Sequence, residues 1–296
     1  MVRLFGASVL LVLATPAFAQ EQEVEDWSGP YISVSAAGDS QQVTTSSTDS
    51  VNQVTNLIVP GRGLVVVPGT SVATSGSDTE TGFSGGAAFG WLGQSGGFVY
   101  GVELGGNFGQ SSSGTSSTAS LPVTVLTPVS TVVATRTVKK DYDWSARLRL
   151  GFATGKALLY ASGGVAGTRA QLTAIDTYTD PGGPAAPCTA PCTVANFGPY
   201  GPAVATSTAR NSFIGWTAGA GIDYRLAGSF SIGIDYRHSN FGAKTLALGA
   251  ATPVNSGATI TDGSGNHPPA NTGAVPGSTR VDLRDERLAF TLSFHF

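Results

Sequence analysis

The most regular alternation of hydrophobic and polar residues lies at the C-terminal end of the chain, in the segment LAFTLSFHF. Small or polar residues occupy every second position, and large apolar residues lie between them. Because successive side chains of a β-strand point to opposite faces, this period of two predicts a strand with one apolar face. The residues on that face are Leu288, Phe290, Leu292, Phe294 and Phe296.

Seven earlier segments show the same alternation over roughly ten residues each, the length of a tilted strand that crosses a membrane. The clearest is 143–153, DWSARLRLGFA, in which Trp144 and Leu148 share one face while Arg147 and Arg149 share the other. Together with the C-terminal strand they give eight strands, an even number. The seven predicted strands are 31–38, 82–92, 98–110, 143–153, 157–170, 212–225 and 229–238.

The connections between the predicted strands alternate between long and short. Short turns connect the strands at one end of the barrel, and long stretches rich in Ser, Thr, Gly and Pro connect them at the other end, as in a membrane β-barrel. We therefore expect an all-β fold, an eight-stranded antiparallel up-and-down transmembrane β-barrel with long external loops. The long stretches are not expected to build a packed core, although runs such as 64–67 and 129–134 would extend the hairpins above the membrane. The long stretches are 39–81, 111–142, 171–211 and 239–280.

Composition supports this interpretation by excluding other classes. The 296 residues include 40 Gly and 1 Met, only 12% of them are charged, and a helical protein would need more of the charged residues that cover helix surfaces. The mean hydropathy of +0.11 is too high for a disordered chain. The sparse Lys and Arg residues form no cluster, so we expect no nucleic-acid partner.

The first 19 residues have the features of a secretory signal peptide. A basic residue, Arg3, precedes an apolar run from Leu4 to Leu13, and the segment ends in Ala17-Phe18-Ala19. The apolar run is too short for a membrane-anchoring helix and matches an export signal with its small-residue cleavage motif. We expect residues 1–19 to be removed and residues 20–296 to form one barrel domain.

Several segments resemble the OmpA-like and opacity-protein-like outer-membrane β-barrel family, which includes alphaproteobacterial surface antigens of the "porin family". The segments are WSGPYISVSAAG, GFSGGAAFGW, YGVE, DWSARLRLGFA and the strand that ends on Phe296. The resemblance implies a non-enzymatic protein of the cell outer membrane with both termini periplasmic. It also implies contact with outer-membrane lipid and lipopolysaccharide, and that the barrel-assembly machinery reads the final strand. The long loops are longer than expected for this family, so the resemblance does not identify their extracellular partner.

Most of the charge at membrane level belongs to the inward face of the predicted strands. The interior of an eight-stranded barrel is just wide enough for side chains to fill, and buried charges there must pair. We expect Glu103 to pair with Arg147 or Arg149 on the next strand, and the remaining charges to pair between strands six and seven. A salt-bridged plug is favoured over the alternative, a small passive pore. The remaining inward charges are Asp223, Arg225, Asp235 and Arg237.

The four Trp residues lie close to the ends of predicted strands. An indole ring suits the boundary between membrane and water, so each is expected there. They are Trp27, Trp91, Trp144 and Trp216.

Two Cys residues, Cys188 and Cys192, lie in the third long stretch as CTAPC. In an exported chain an even pair of Cys residues predicts a disulfide, here one that closes a small external loop. A metal site would need further ligands, and no other Cys or His lies nearby. We therefore expect no metal and no cofactor.

An outer-leaflet lipid-modifying enzyme is the less favoured alternative function. It would need a nucleophile beside a general base, and His238 is followed by Ser239 at the external end of strand seven. A polar pair where a strand leaves the membrane is the simpler interpretation. No catalytic residue is predicted.

Overall fold

The computed structural model describes residues 24–59, 63–121, 130–180, 200–249, 252–255, 260–262, 265–267 and 273–296. These residues form strands, turns and irregular segments. In this described part of the chain, no helix is long and apolar enough to cross a membrane.

The strands alternate in direction along the chain, and eight of them are long. The long strands are β1 (Gly29–Val59), β2 (Gly63–Ser95), β3 (Phe98–Ser120), β4 (Thr131–Thr154), β5 (Ala157–Asp180), β6 (Tyr200–Ala227), β7 (Phe230–Leu246) and β11 (Gly273–His295). Three short strands lie between β7 and β11 in the chain: β8 (Val254–Asn255), β9 (Ile260–Asp262) and β10 (Gly265–His267).

The eight long strands form one antiparallel sheet that closes on itself. Its order is β5-β4-β3-β2-β1-β11-β7-β6, and β6 pairs back onto β5. The first and last long strands are neighbours, with Tyr31 opposite His295 and Gly38 opposite Leu288. The all-β, up-and-down barrel predicted from the alternation is confirmed, and β8 adds a short ninth strand beside β6.

Three tight turns join the hairpins at one end of the barrel, which we call the short-turn end. Each turn begins with a glycine, Gly96, Gly155 or Gly228, whose φ lies between 53° and 58°. This left-handed conformation carries no steric cost for glycine and matches the twist of a two-residue hairpin. The turns fall at the predicted places, but β2 runs on to Ser95.

The predicted external loops are largely strand, which corrects the expectation of irregular loops. The hairpin β1–β2 continues to Val59 and Gly63, about 20 residues or ~65 Å of strand beyond Gly38. Thr and Val favour strands. The alternation of apolar and polar residues continues in this segment but is weaker, because the inward residues are small. We call this part of the molecule the extension.

The barrel opens into two facing sheets in the extension. Among the described residues, the ladder between β2 and β3 ends at Gly85 and Phe108, and the ladder between β6 and β7 ends at Trp216 and Asn240. Beyond these points β2, β1, β11 and the end of β7 form one sheet. The strands β3, β4, β5 and β6 form the other.

The outer surface of the barrel carries a band of exposed apolar side chains. Phe83 is 90% exposed, Phe152 61% and Phe290 64%, which is the exposure expected of side chains that face lipid. Trp91, Trp144 and Trp216 are exposed members of this band. The prediction for Trp27 is wrong, because Trp27 is fully buried inside the short-turn end.

Apolar and charged layers alternate along the interior. Trp27, Leu158 and their neighbours close the short-turn end. Charged side chains follow at membrane level, then a cluster around Phe213 and Leu172, and finally a cluster around Tyr178 and Val132 near the tip of the extension. The Ser/Thr-rich segments therefore do build a packed core, contrary to the sequence expectation.

Candidate functional site

The charged interior of the barrel centres on Arg147, an inward residue of β4. Its guanidinium pairs with Glu103 on β3 and lies 3.2 Å from Oδ1 of Asp235 on β7, while Nη1 also donates to Ser162 Oγ at 3.2 Å. Arg147 and Glu103 stand directly opposite each other in the β3–β4 ladder. Arg147 thus joins neighbouring strands to the far wall of the lumen.

Arg149, two residues further along β4, extends these contacts. Nη1 lies 3.3 Å from Oε2 of Glu103, and Nη2 lies 2.7 Å from Oδ2 of Asp223 on β6. The guanidinium carbon also lies 3.6 Å from the centroid of the Tyr160 ring, a cation–π contact. We call Glu103, Arg147, Arg149, Asp223 and Asp235 the lumenal network.

Two phenols complete the hydrogen bonding of the lumenal network. The Tyr31 hydroxyl donates to Oε2 of Glu103 at 2.6 Å and accepts from Nη1 of Arg149 at 2.8 Å. The Tyr160 hydroxyl donates to Oδ2 of Asp235 at 3.0 Å. Glu103 and Asp235 thus each have several donors, while Asp223 accepts from Arg149. A buried ion needs such partners to offset its lost hydration.

Glycines provide the room for these large side chains. A Cβ at Gly221 would meet the Tyr160 ring, and one at Gly233 would meet the Asp223 carboxylate. Glycine at these inward positions therefore follows from the crowding of a narrow lumen.

Of the two other inward Arg residues, Arg225 lies away from the lumenal network and Arg237 lies at its edge. Arg225 faces inward but lies at the short-turn end, where its guanidinium stacks 4.5 Å from the Trp27 ring and donates to the Asp26 carbonyl oxygen at 2.8 Å. Its expected pairing with a charge of strand seven is therefore wrong, because Arg225 lies nearer the turn than Asp223 does and stands opposite Ser231. Arg237 contacts Asp235 through Nη2 at 3.4 Å.

A second group of charges, which sequence reasoning missed, lies above the lumenal network. Arg287 on β11 binds Asp39 and reaches Asp143 on β4 at 3.0 Å, and Lys140 lies 2.8 Å from Asp285. All but one of these residues fall outside the ten-residue segments predicted from the alternation. A longer strand assignment would have placed Asp39, Asp285 and Arg287 on the inward face, because their burial continues the same period. Lys140 would have been placed outward, because a bulge between Lys140 and Tyr142 shifts the period.

A third charged group, the outer triad, ties the two sheets of the extension together. Arg136 on β4 lies 2.7 Å from Oδ1 of Asp49 on β1 and 2.6 Å from Oδ1 of Asp176 on β5, and all three side chains are buried. Burial, together with the nearby Asp49 carboxylate, raises the pKa of Asp176 to about 6, although Arg136 opposes the shift. One guanidinium therefore faces two carboxylates.

Little free volume remains inside the barrel at the level of the lumenal network. The cavity between Ser33, Ala88, Glu103, Arg237 and neighbouring residues has a volume of about 30 Å³. This is room for one or two water molecules.

His238 and Ser239 do not form a catalytic pair. The Ser239 hydroxyl faces inward and donates to Thr217 Oγ1 at 3.0 Å. The His238 ring lies on the outer surface, with Nδ1 2.6 Å from Oε1 of Glu286 and its centroid 5.1 Å from Trp216. Neighbouring residues of a strand point to opposite faces, which separates the two side chains.

The C-terminal strand presents its apolar face outward. Leu288, Phe290, Leu292 and Phe296 are at least 45% exposed, and the Phe294 ring packs edge-on against Phe296 with centroids 5.0 Å apart. The backbone N–H of Phe296 donates to the Pro30 carbonyl oxygen at 3.0 Å, which fixes the chain end to β1.

Two predicted features lie outside the described residues. These are the Cys188–Cys192 disulfide and the signal peptide at residues 1–19. In the part of the chain that the structure does describe, no group of three or more His, Cys, Asp or Glu side chains is arranged to hold a metal ion.

A closed antiparallel sheet with an apolar exterior and a polar, ion-paired interior defines a transmembrane β-barrel. Residues 5–261 match the family model described as the outer membrane protein beta-barrel domain. The chain therefore belongs to this family and is a protein of the cell outer membrane. No curated protein sequence matches it.

Comparison with solved structures finds other β-barrels at low sequence identity. Neisserial surface protein A is 11% identical, with a TM-score of 0.31, and the match covers 87% of this chain and 97% of that one. Ail, the attachment invasion locus protein of Yersinia pestis, is 10% identical, with a TM-score of 0.27 and coverage of 87% and 98%. A Pseudomonas aeruginosa FadL homologue is 7% identical, with a TM-score of 0.22 and 90% coverage of each chain.

Proposed function

We propose that this protein is a non-conducting, non-catalytic barrel that presents its extension at the cell surface for interaction with an extracellular partner. The filled interior is the observation that carries the proposal. Ion-paired layers alternate with apolar layers from Trp27 at the short-turn end to Tyr178 near the tip. Such an interior stiffens the extension and blocks passage of solutes.

The filled lumen argues against the alternative of a small passive pore. An ion would have to pass between Arg147, Glu103 and Asp235, and the Arg147 guanidinium already contacts both carboxylates, lying 3.2 Å from Asp235 Oδ1. Opening this path would break buried ion pairs, which is strongly unfavourable when one partner is left alone.

Planar-bilayer conductance of the purified, refolded protein tests this point. We expect no stable channels from the wild type. The triple variant Glu103→Ala, Arg147→Ala, Arg149→Ala removes the centre of the plug, and current steps from that variant would show that the assay detects an opened lumen. Steady channels from the wild type would overturn the proposal.

The non-catalytic part of the proposal is supported by the placement of His238. Its Nδ1 is engaged by Glu286, and its neighbour Ser239 faces the interior. A general base must reach the proton that it removes, and here the hydroxyl lies behind the barrel wall.

The proposed orientation places the short-turn end, with both chain termini, in the periplasm. There the barrel-assembly machinery would read the final strand, and the extension would project past the outer-membrane lipid and lipopolysaccharide. An epitope inserted within residues 122–129 should bind antibody on intact cells. The same epitope at the Gly155–Lys156 turn should bind only after the outer membrane is broken, and the reverse pattern would reject this orientation.

The interaction role is tested by shortening the extension. A trimmed variant replaces residues 46–75 and 114–137 by two-residue turns, at places where the register pairs Thr45 with Gly76 and Ser113 with Val138. Cells that carry the intact barrel should adhere to host cells, neighbouring bacteria or phage more strongly than cells with the trimmed barrel. Equal adhesion in all three assays would remove the support for a surface-interaction role.

A further inference from the structure

Two surfaces on opposite sides of the barrel carry opposite charges directly above the apolar band, on the side of the extension. The first lies on β4, β5 and β6 and consists of three exposed cations, Lys139, Arg169 and Arg210. We call it the cationic wall. The second is a groove on β1, β2, β7 and β11 that contains the carboxylate of Glu286, and we call it the acidic groove.

The strand register brings the cations of the cationic wall together. Lys139 and Arg210 stand on the two sides of Gln171, so they are two strands apart, about 10 Å at ~4.8 Å per strand. Arg210 donates through Nε to Gln171 Oε1 at 2.8 Å. Within the described residues, none of the three cations forms an ion pair with a carboxylate. Asp141 is the exposed acid beside Lys139, so the cationic wall keeps a net positive charge.

Arg169 stands at the upper edge of an aromatic surface. It lies opposite Tyr142 in the β4–β5 ladder, and the Trp144 ring covers Gly167, one outward step below Arg169. The rings of Tyr142 and Trp144 are 40% and 41% exposed. Rings of this kind mark the membrane boundary. The charge of Arg169 therefore lies at that boundary, directly above two exposed rings.

The acidic groove has an open floor and apolar sides. Its volume is about 420 Å³. The floor includes Gly38, where a Cβ would have no neighbouring atom within 4 Å. The sides include Phe83, which is 90% exposed, and Leu288, which is 50% exposed. Pockets of several hundred cubic ångströms hold whole ligands, so this groove has room for side chains of another molecule.

Glu286 is held in the acidic groove by two donors. The Tyr236 hydroxyl donates to Oε2, and Nδ1 of His238 lies 2.6 Å from Oε1. The Glu286 side chain is 44% exposed and, within the described residues, has no ion pair with Lys or Arg. The next outward cation on β11, Arg284, lies 3.6 Å from Asp282 instead. Glu286 therefore presents a positioned carboxylate that an external cation can reach.

The two surfaces lie at the same height and face away from each other. Arg169 lies one outward step above the Trp144 ring on Gly167, and Glu286 lies one outward step above Leu288, so both charges stand at the upper edge of the apolar band. The centre of the cationic wall is β5, and the floor of the acidic groove is on β1. These strands are four positions apart in both directions around the ring.

We propose that the cationic wall of one molecule docks in the acidic groove of a second copy of this chain, with Arg169 facing Glu286. Charge complementarity selects this occupant, because one chain carries an exposed carboxylate and exposed cations, each without an ion pair to Lys, Arg or a carboxylate, at one height in the membrane. Tyr142 and Trp144 lie below Arg169, at the height of the apolar sides of the groove. Apolar contacts therefore accompany the ion pair.

The contact joins two different surfaces, so each docked pair leaves one cationic wall and one acidic groove free. Because these surfaces lie on opposite sides of the barrel, further copies extend the pair into a row and do not close it as a dimer. The inference does not depend on which side of the membrane the extension occupies. It also goes beyond the proposed function, because the tip of the extension takes no part in the contact.

Energy transfer between labelled copies of the intact barrel tests this association. Donor and acceptor are placed at the N-terminus of separate copies, which are reconstituted together in phosphatidylcholine vesicles at low protein density. We expect more transfer than randomly distributed copies would give. Arg169→Glu or Glu286→Arg alone should weaken the association about tenfold, since each places like charges opposite each other. Lys156→Glu, which reverses a charge at a short turn, is the matched control and should leave transfer unchanged.

Mixing the two reversed proteins separates the contact from damage to either fold. Donor-labelled Arg169→Glu and acceptor-labelled Glu286→Arg place opposite charges at both of their mutual surfaces. Transfer between them should therefore return to the wild-type level, and heat-modifiable gel migration verifies that each is folded. Failure to recover in the mixture, or random-level transfer from the wild type, would overturn the proposal.

Two further measurements distinguish a second copy from other arrangements. Chemical crosslinking of the wild type in the vesicles should give a ladder of dimers, trimers and larger species, and dimers alone would reject the row. Lipopolysaccharide is then added to the vesicles, and we expect transfer to persist. If it abolishes transfer, a lipid and not a second copy occupies the cationic wall, and the proposal is wrong.

Discussion

Arg147 on β4 reaches across the lumen to Asp235 on β7, with Nη1 3.2 Å from Oδ1. The two strands are separated by β5 and β6 around the ring. This contact ties distant parts of the barrel wall together, while the pairing of Arg147 with Glu103 ties neighbouring strands. The lumenal network therefore acts as a cross-brace through the closed sheet.

Arg147→Ala should destabilise the folded barrel by about 3–5 kcal/mol, because Glu103 and Asp235 would each lose a buried partner. Denaturant titration of the refolded protein in detergent micelles measures the loss. Arg237→Ala is the matched control, since Arg237 contacts Asp235 only at 3.4 Å and Asp235 keeps Arg147 and Tyr160 as partners, so it should cost about 1 kcal/mol or less. Equal costs for the two variants would show that the cross-brace is not specific to Arg147.

The part of this network formed between neighbouring strands could be predicted from the sequence, and the part formed across the lumen could not. Glu103 and Arg147 belong to consecutive strands, and consecutive strands are neighbours in an up-and-down barrel. Asp223 was expected to pair with strand seven but meets Arg149 on β4 instead. Long side chains span a narrow interior, so their partners depend on barrel diameter and strand tilt, which no local pattern encodes.

The two carboxylates of the outer triad should respond differently to the same substitution. Asp49 accepts hydrogen bonds from Gly277 N, Thr74 and Arg136 through both oxygens, so Asp49→Asn loses an acceptor and should cost about 1–3 kcal/mol. Asp176 Oδ2 has no hydrogen-bond partner, so Asp176→Asn should be neutral or stabilising at pH 7.5. Thermal unfolding in detergent compares the two variants, and a larger loss for Asp176→Asn would contradict the assignment.

The raised pKa of Asp176 predicts a pH dependence of stability with a definite sign. Above a pKa of about 6 the folded state holds a buried carboxylate that the unfolded chain would hydrate. As the pH falls from about 6 towards 4, the folded state takes up a proton before the unfolded state does. Stability should therefore rise over this range, by at most about 3 kcal/mol.

Unfolding free energies of the wild type and Asp176→Asn, measured between pH 8 and pH 4, check this effect. The difference between the two proteins should shrink as the pH falls, because protonated Asp176 resembles Asn. A difference that is constant with pH would show that Asp176 does not titrate in the folded protein.

The extension illustrates a second limit of sequence reasoning. Residues 111–120 read SSSGTSSTAS, which lacks the large apolar residues that mark a half-buried strand. In the structure Ser113 and Thr115 are nevertheless buried, because the facing sheet supplies Thr45, whose hydroxyl lies 2.8 Å from that of Thr115. Small polar residues can line the thin interior between two sheets. A sequence rich in such residues cannot be distinguished from a loop unless the opposite sheet is known.

His238→Ala should leave lipopolysaccharide acylation unchanged in cells that produce the protein. The ring contacts Glu286 and Trp216 on the outer wall, and the hydroxyl of the adjacent Ser239 faces the interior. Mass spectrometry of lipid A from wild-type, variant and deletion strains provides the measurement. A change in acyl chains that depends on His238 would revive the enzyme hypothesis.

Phe296→Ala should reduce the amount of assembled barrel in cells severalfold while leaving refolding of the purified protein nearly unchanged. The proposed reason is that the assembly machinery recognises the terminal aromatic residue. Purified protein folds into detergent without the machinery, so its refolding should not depend on that recognition. Phe290→Ala is the matched control, because Phe290 is 64% exposed and Phe296 70% exposed on the same lipid-facing side of β11. Both variants lose a similar lipid contact, so only recognition at the chain end distinguishes them. Quantifying the heat-modifiable folded form in outer-membrane fractions measures assembly, and an equal loss in both variants would assign the effect to lipid contact rather than recognition.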